Sequence, residues 1–258
     1  MEKKAVSDFT KRFPDLDTAT RNQVSKEISE GFSASSSTED SLLKSTPLIA
    51  EAENSPGLVQ AVAGTAIMML LFSVAGMGAS LLDEKQEGTL KKLLYSPLRP
   101  ANILFGKMLS VNIISMFQLL VMFLYSWIVF GLNIMQNIPA LIIMIVVTAF
   151  ACSSFGIFLA SFAKSRQQVQ GFSTLIILSM SAIGGSMIPL FIMPLWMQKI
   201  AVISVNYWGI QGFYDIFWRM LPVTDPTFIM RVVVLLSIGL VLNLVASRLF
   251  KKNILNLA

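Results

Sequence analysis

The sequence predicts an all-α fold: a polytopic helical membrane protein with five transmembrane helices, plus interfacial or re-entrant helices at the outer leaflet. Three observations carry this reading. First, 54% of the 258 residues are apolar and only 14% are charged, whereas a soluble domain is about 25% charged. Second, the charges leave four long gaps: Asn54–Leu82, Met108–Ala163, Gln167–Gln198 and Val232–Ser247. A helix needs roughly 20 apolar residues to cross a hydrocarbon core about 30 Å thick, so each gap holds most of a span and the second holds two. Third, the Lys and Arg residues gather in loops that alternate along the chain, as short cytoplasmic loops do.

The chain divides into a polar segment 1–56, a transmembrane region 57–252 and a tail 253–258. Residues 1–56 carry seven basic and ten acidic side chains, against thirteen and five in the remainder. The split opposes a uniform basic surface for nucleic acid and assigns the positive charge to membrane loops. A short helix is expected after Asp17 or Thr18, through Val24 and Ile28 to a stop at Gly31. Ser33-Ala34-Ser35-Ser36-Ser37 follows as a flexible linker. No positively charged stretch precedes an apolar run here, so the segment is not a signal peptide.

The five spans fall at roughly Leu58–Leu82, Met108–Gly131, Ile138–Ala163, Val169–Leu190 and Thr227–Leu249. Between the second and third, Leu132-Asn133-Ile134-Met135-Gln136-Asn137 with Pro139 predicts a tight polar turn. One set of loops holds Lys85, Lys91, Lys92, Arg99, Lys107, Lys164, Arg166, Arg248, Lys251 and Lys252, while the opposite set holds Lys199 and Arg219. This bias puts the C-terminus in the cytoplasm and, with five spans, the N-terminal segment outside. Trp127, Trp196, Trp208 and Trp218 all fall on the outer side, where an indole keeps its ring buried and its N–H wet. The chain is expected in the cell (inner or plasma) membrane. An unsignalled polar segment outside predicts a further apolar helix upstream of Met1; the alternative is spontaneous passage of an acidic tail.

Several chemistries are excluded. With no His and one Cys, Cys152, inside an apolar run, there is no disulfide framework, no thiolate or imidazole metal site and no Ser-His-Asp or Cys-His nucleophile. Nor is there a phosphate-binding loop: Gly106-Lys107 is followed by Met108, and Ala101 stands where the first Gly belongs. No catalytic residue, metal or cofactor is expected on this chain.

The stretch from Asp83 to Pro97 is the most informative. Leu90, Leu93 and Leu94 stand at i, i+3 and i+4 and share one helical face, away from Lys91 and Lys92. Ser96-Pro97 ends the helix, because Pro disfavours helical geometry in the residue before it. Such a helix either lies on the membrane with its lysines toward anionic lipid or docks its leucines in a groove on a cytoplasmic partner.

Glu84, Glu87-Gly88-Thr89-Leu90, Ser96-Pro97 and Gly106-Lys107 before a span resemble the ABC-2 type permease family. So do Gly184-Gly185-Ser186-Met187-Ile188-Pro189, Met193-Pro194, and Ser55-Pro56-Gly57 before the first span. The resemblance runs in order over about residues 55–252, and its specificity lies in the ordered set. Family members usually have six spans, and this chain starts inside the external segment that follows the first. The resemblance implies that the 83–100 loop, with Glu84, Glu87, Gly88, Thr89, Leu90, Leu93, Leu94 and Pro97, couples to a separate ABC ATPase subunit. It implies a second cytoplasmic contact at Lys164 and Arg166. It further implies a dimer with a second permease subunit, the same or different, above two ATPases. ATP and Mg would be bound there, and this chain would do no chemistry.

Other stretches keep two readings each. Segment 191–227 with Pro194, Pro222 and Pro226 is an interfacial helix or re-entrant hairpin, or an outer gate marked by the break at Gly184, Gly185, Pro189 and Pro194. Asn112, Ser115 and Gln118 share one side of a span, and Asn243 lies mid-span; each either bonds a neighbouring helix or lines the path. Ala75, Gly76, Ala79 and Ser80 offer small-residue pairs for close helix packing. An ion-coupled secondary transporter is the main alternative. It usually needs an ionisable group deep in the membrane, yet Lys107 and Arg231 stand near span ends, where they can snorkel. A non-transporting scaffold or sensor leaves the 83–97 loop unexplained.

Overall fold

The computed structural model describes residues 55–89, 100–163 and 165–250. The helix expected after Asp17, the serine linker, Leu90, Leu93, Leu94, Pro97, Lys164 and the tail 253–258 lie outside the described residues. Among the described residues, seven α-helices follow one another: α1 (Pro56–Gln86), α2 (Pro100–Phe130), α3 (Ile138–Phe162), α4 (Arg166–Ile183), α5 (Leu195–Ala201), α6 (Val205–Phe217) and α7 (Pro226–Phe250). One-turn 3₁₀ segments at Ile134–Asn137 and Leu190–Ile192 join them. There is no strand among the described residues.

The helix starts follow local side-chain chemistry. Pro opens α1, α2 and α7, at the position where its missing N–H costs nothing. Asn137, Ser165 and Ser204 accept from the backbone N–H groups of Ala140, Gln168 and Tyr207 at 3.3 Å each, capping α3, α4 and α6. Ser55 does the same for α1 through Leu58 N–H, at 3.2 Å. The polar turn expected at 132–137 is therefore built from the cap of the helix that follows it.

Among the described residues, four helical segments are long and apolar enough to cross a membrane: Pro56–Glu84, Phe105–Phe130, Ile134–Phe162 and Pro226–Leu249. The chain is a multi-pass helical membrane protein. The fourth expected span, Val169–Leu190, is shorter than its apolar content suggested. α4 ends at Ile183 instead of Leu190 and has 18 residues, about 27 Å at 1.5 Å per residue. Gly184-Gly185 stops it, and its first turn is spent on Arg166, Gln167 and Gln168. It buries Val169, Ser173, Ile177 and Ser181 in one stripe, while Phe172, Leu175 and Leu178 face outward. This is the pattern of a helix with lipid outside and protein inside.

α3 is the centre. It packs against α7, α1, α2 and α6, and only its first turns and a few scattered side chains reach the surface. Glycines set its closest approaches. A Cβ on Gly156 would stand 2.8 Å from the Val74 backbone, and one on Gly78 would stand 2.9 Å from the Gly156 carbonyl oxygen. The small-residue contact of α1 is therefore made by Gly78, with Ala75 and Ala79 buried beside it. Gly76 faces open space. A Cβ on Gly239 of α7 would meet the Phe150 ring of α3 at 2.7 Å. By contrast, α2 and α7 turn long apolar rows outward, among them Ile113, Phe117 and Ile128, and Val233, Leu240 and Leu244.

Candidate functional site

At one end of the bundle, α1 continues past its last apolar residue, Leu82, through Asp83, Glu84, Lys85 and Gln86. Consecutive residues on a helix point about 100° apart, so Asp83 and Glu84 reach different neighbours. The Asp83 carboxylate pairs with the Arg166 guanidinium at the start of α4. The Glu84 carboxylate pairs with the Lys107 ammonium in the second turn of α2. Two adjacent acids thus tie three helix ends together where the 83–100 loop begins. Glu87 N–H still bonds the Asp83 carbonyl at 2.9 Å, and the Thr89 hydroxyl donates to the Glu84 carbonyl at 2.9 Å. Gly88 has φ +74°, the left-handed geometry that closes a helix at little cost only for glycine. The Glu-Gly-Thr stretch is a helix stop that aims the loop.

The structure brings residues 83–89, where the expected coupling loop begins, and Arg166 to this same end. The connection runs through Asp83 and Lys107, which the site reading had left out. Their signal was present: two acids and two bases bracket three spans on one predicted side. The in-span polar residues are dispersed. The Asn112 amide donates to Ser153 Oγ of α3 at 3.5 Å, and the Ser115 hydroxyl returns to the Val111 carbonyl of its own helix at 2.7 Å. Gln118 and Asn243 are half-buried. The Asn112 bond joins α2 to α3, whereas the Ser115 bond stays within α2.

The opposite end carries Trp196, Trp208 and Trp218. Here Gly184 and Gly185 (φ +95°) end α4, and Pro189 and Pro194 begin the Leu190–Ile192 turn and α5. The break is pinned from two sides. The Asn206 amide donates to Ser181 Oγ at 3.0 Å and to Ser186 Oγ at 2.8 Å. Gly64 of α1 lies so close that a Cβ there would stand 2.6 Å from the Ser186 carbonyl oxygen. α6 is held by Phe213 and Phe217, whose rings lie 4.5 and 5.7 Å from Phe123 of α2. The Tyr214 hydroxyl donates to the Pro56 carbonyl at 3.0 Å.

This end also holds a charge cluster that no sequence pattern singled out. Asp215 is fully enclosed. One carboxylate oxygen pairs with Arg219, one turn later, and the other accepts from Arg231 Nε at 3.4 Å. Arg231 does not snorkel: it is turned inward, with its guanidinium 5.2 Å from the Trp208 ring centre and 6.0 Å from that of Tyr207. Only the fold brings Asp215 and Arg231 together, because they lie on separate helices.

The sequence profile described as "ABC-2 family transporter protein" matches residues 7–248. The chain belongs to the ABC-2 transporter family. Among its relatives, the linearmycin resistance permease protein LnrN of Bacillus subtilis (strain 168) is 25% identical over 163 residues, 63% of this chain and 42% of that protein. The inner membrane transport permease YhhJ of Escherichia coli (strain K12) is 28% identical over 131 residues, 50% of this chain and 35% of that protein. The aligned part is less than half the length of either relative. Both relatives are named as permeases.

Proposed function

We propose that this chain is the membrane-spanning permease subunit of an ATP-driven ABC exporter, forming the substrate path and coupling to a separate ATPase subunit. The observation that supports it is the joined base of α1, α2 and α4 at the root of the 83–100 loop. A push on that loop acts on three helices at once through Asp83–Arg166 and Glu84–Lys107. The Lys and Arg bias places this base and the C-terminus in the cytoplasm, and residues 1–56 outside. Arg166, engaged with Asp83, transmits motion to α4, and with Lys164 it forms the second cytoplasmic contact. A second permease subunit, the same or different, completes the path, and ATP with Mg sits in the ATPase partner. A relative named for linearmycin resistance fits outward movement.

The test is Leu93→Asp. A fully buried Leu contributes roughly 1.5–3 kcal/mol, and a charge in a closed groove must also be stripped of water. We expect the variant to insert normally but to lose its ATPase on purification, or to leave ATP hydrolysis uncoupled from transport. Lys91→Ala, on the other face, should copurify as the unaltered chain does. Normal transport and copurification by Leu93→Asp would reduce the loop to a membrane-surface helix and remove the proposal's support.

A further inference from the structure

Between α5 and α6, at the aromatic end, lies an open cavity of about 300 Å³, within the size range of small-ligand sites, roughly 300–1,000 Å³. Its walls are of two kinds. Leu195 of α5 and Val202 just past its end are apolar, whereas Lys199 of α5 and Tyr207 and Gln211 of α6 are polar. The charged groups beside it are unbalanced. Arg219 reaches the rim by donating to Gln211 Oε1 at 3.2 Å, and Arg231 lies over the Tyr207 ring. Against Lys199, Arg219 and Arg231 stands Asp215, enclosed between the two arginines. The other carboxylate described at this end, Asp225, caps α7 through Thr227 N–H at 2.8 Å. Around the cavity the surface is apolar and outward-facing: Phe191, Trp196 and Ile203 are 71%, 65% and 82% exposed. Side chains so exposed on a membrane protein belong against lipid.

We propose that this cavity seats an anionic phospholipid, with its phosphate at Lys199 and an acyl chain along Leu195 and Val202. The walls match an amphiphile: a cation and a hydroxyl lie among aliphatic side chains. A zwitterionic choline headgroup fits worse. It carries its own cation into a field already set by Lys199 and Arg231, and the aromatic faces that hold choline elsewhere are here taken by Arg231. The proposal does not depend on the direction of transport or on an ATPase.

The test uses the full chain in phosphatidylcholine vesicles, with tryptophan quenching by brominated phosphatidylglycerol compared with brominated phosphatidylcholine. One lysine near a membrane surface corresponds to about a fivefold preference for the anionic lipid. We expect that preference in the unaltered chain and in Lys199→Arg, and its loss in Lys199→Gln. Val202→Phe, which fills the cavity without changing charge, should also lose it. Lys199 in the last turn of α5 and Val202 just past its end are both exposed, so neither change threatens the fold. Equal quenching by both lipids, or a preference that survives Lys199→Gln, would overturn the proposal. Survival in Val202→Phe would mean diffuse surface attraction and would overturn it too. Loss of the preference on adding soluble glycerol phosphate would make this a site for a free anion, again against the proposal.

Discussion

The two ends of the bundle use charge in opposite ways. At the basic end, Asp83–Arg166 and Glu84–Lys107 link helices through side chains that remain 24% to 52% exposed. At the aromatic end, Asp215 is wholly enclosed between Arg219 and Arg231. An exposed ion pair contributes about 0–1 kcal/mol, because water solvates its members nearly as well when they part. A buried pair has already lost its water, so removing one member strands the other, at a cost of about 3–5 kcal/mol. The basic end can therefore separate and re-form cheaply, as the proposed coupling requires. The aromatic end is a clamp that holds α6 on α7.

The largest effect should follow from breaking the clamp. Asp215→Ala leaves Arg231 enclosed without its counter-charge and should lower stability by about 3–5 kcal/mol, measured by unfolding in detergent. Adding Arg231→Leu should recover part of that loss, since no buried charge is then stranded; no recovery would mean that Asp215 acts through Arg219 alone. Next comes the packing between the ends. Gly156→Leu drives a side chain into the Val74 backbone and should cost about 1–3 kcal/mol by forcing α1 from α3. Unchanged stability would refute the close crossing. Gly88→Val must adopt φ +74° and should cost roughly 1–2 kcal/mol locally. Its readout is coupling: ATPase binding should weaken while the unfolding midpoint of the bundle barely moves. The smallest change in stability belongs to Arg166→Gln, below about 1 kcal/mol. Transport should fall more than stability does, and charge reversal in Asp83→Arg with Arg166→Asp should restore it. A large loss of stability in Arg166→Gln would erase the contrast between the ends.

The elements themselves were legible because each was written locally. The charge-free gaps and the polar turn at 132–137 mark their helices within a few residues of where they stand. The place where apolarity misled was the fourth span. The run beyond Gly185 is as apolar as a helix interior, but its residues serve a 3₁₀ turn and a short helix begun by Pro189 and Pro194. The site was half legible: Glu84, Gly88 and Arg166 were selected from pattern, while Asp83 and Lys107 were not, because pairing partners come from different spans.

The sequence by itself determined that this chain enters a membrane, where four of its long apolar helices run, and that the ends of α1, α2 and α4 share a side. These follow from hydrophobic length and charge distribution, which act on each segment independently. Only the tertiary structure decided that α3 is the centre, that Gly78 and not Gly76 meets it, and that Asp215 and Arg231 form one cluster. Burial and charge pairing are properties of neighbours. The bilayer specifies that every helix is apolar, but not which face of each meets another helix.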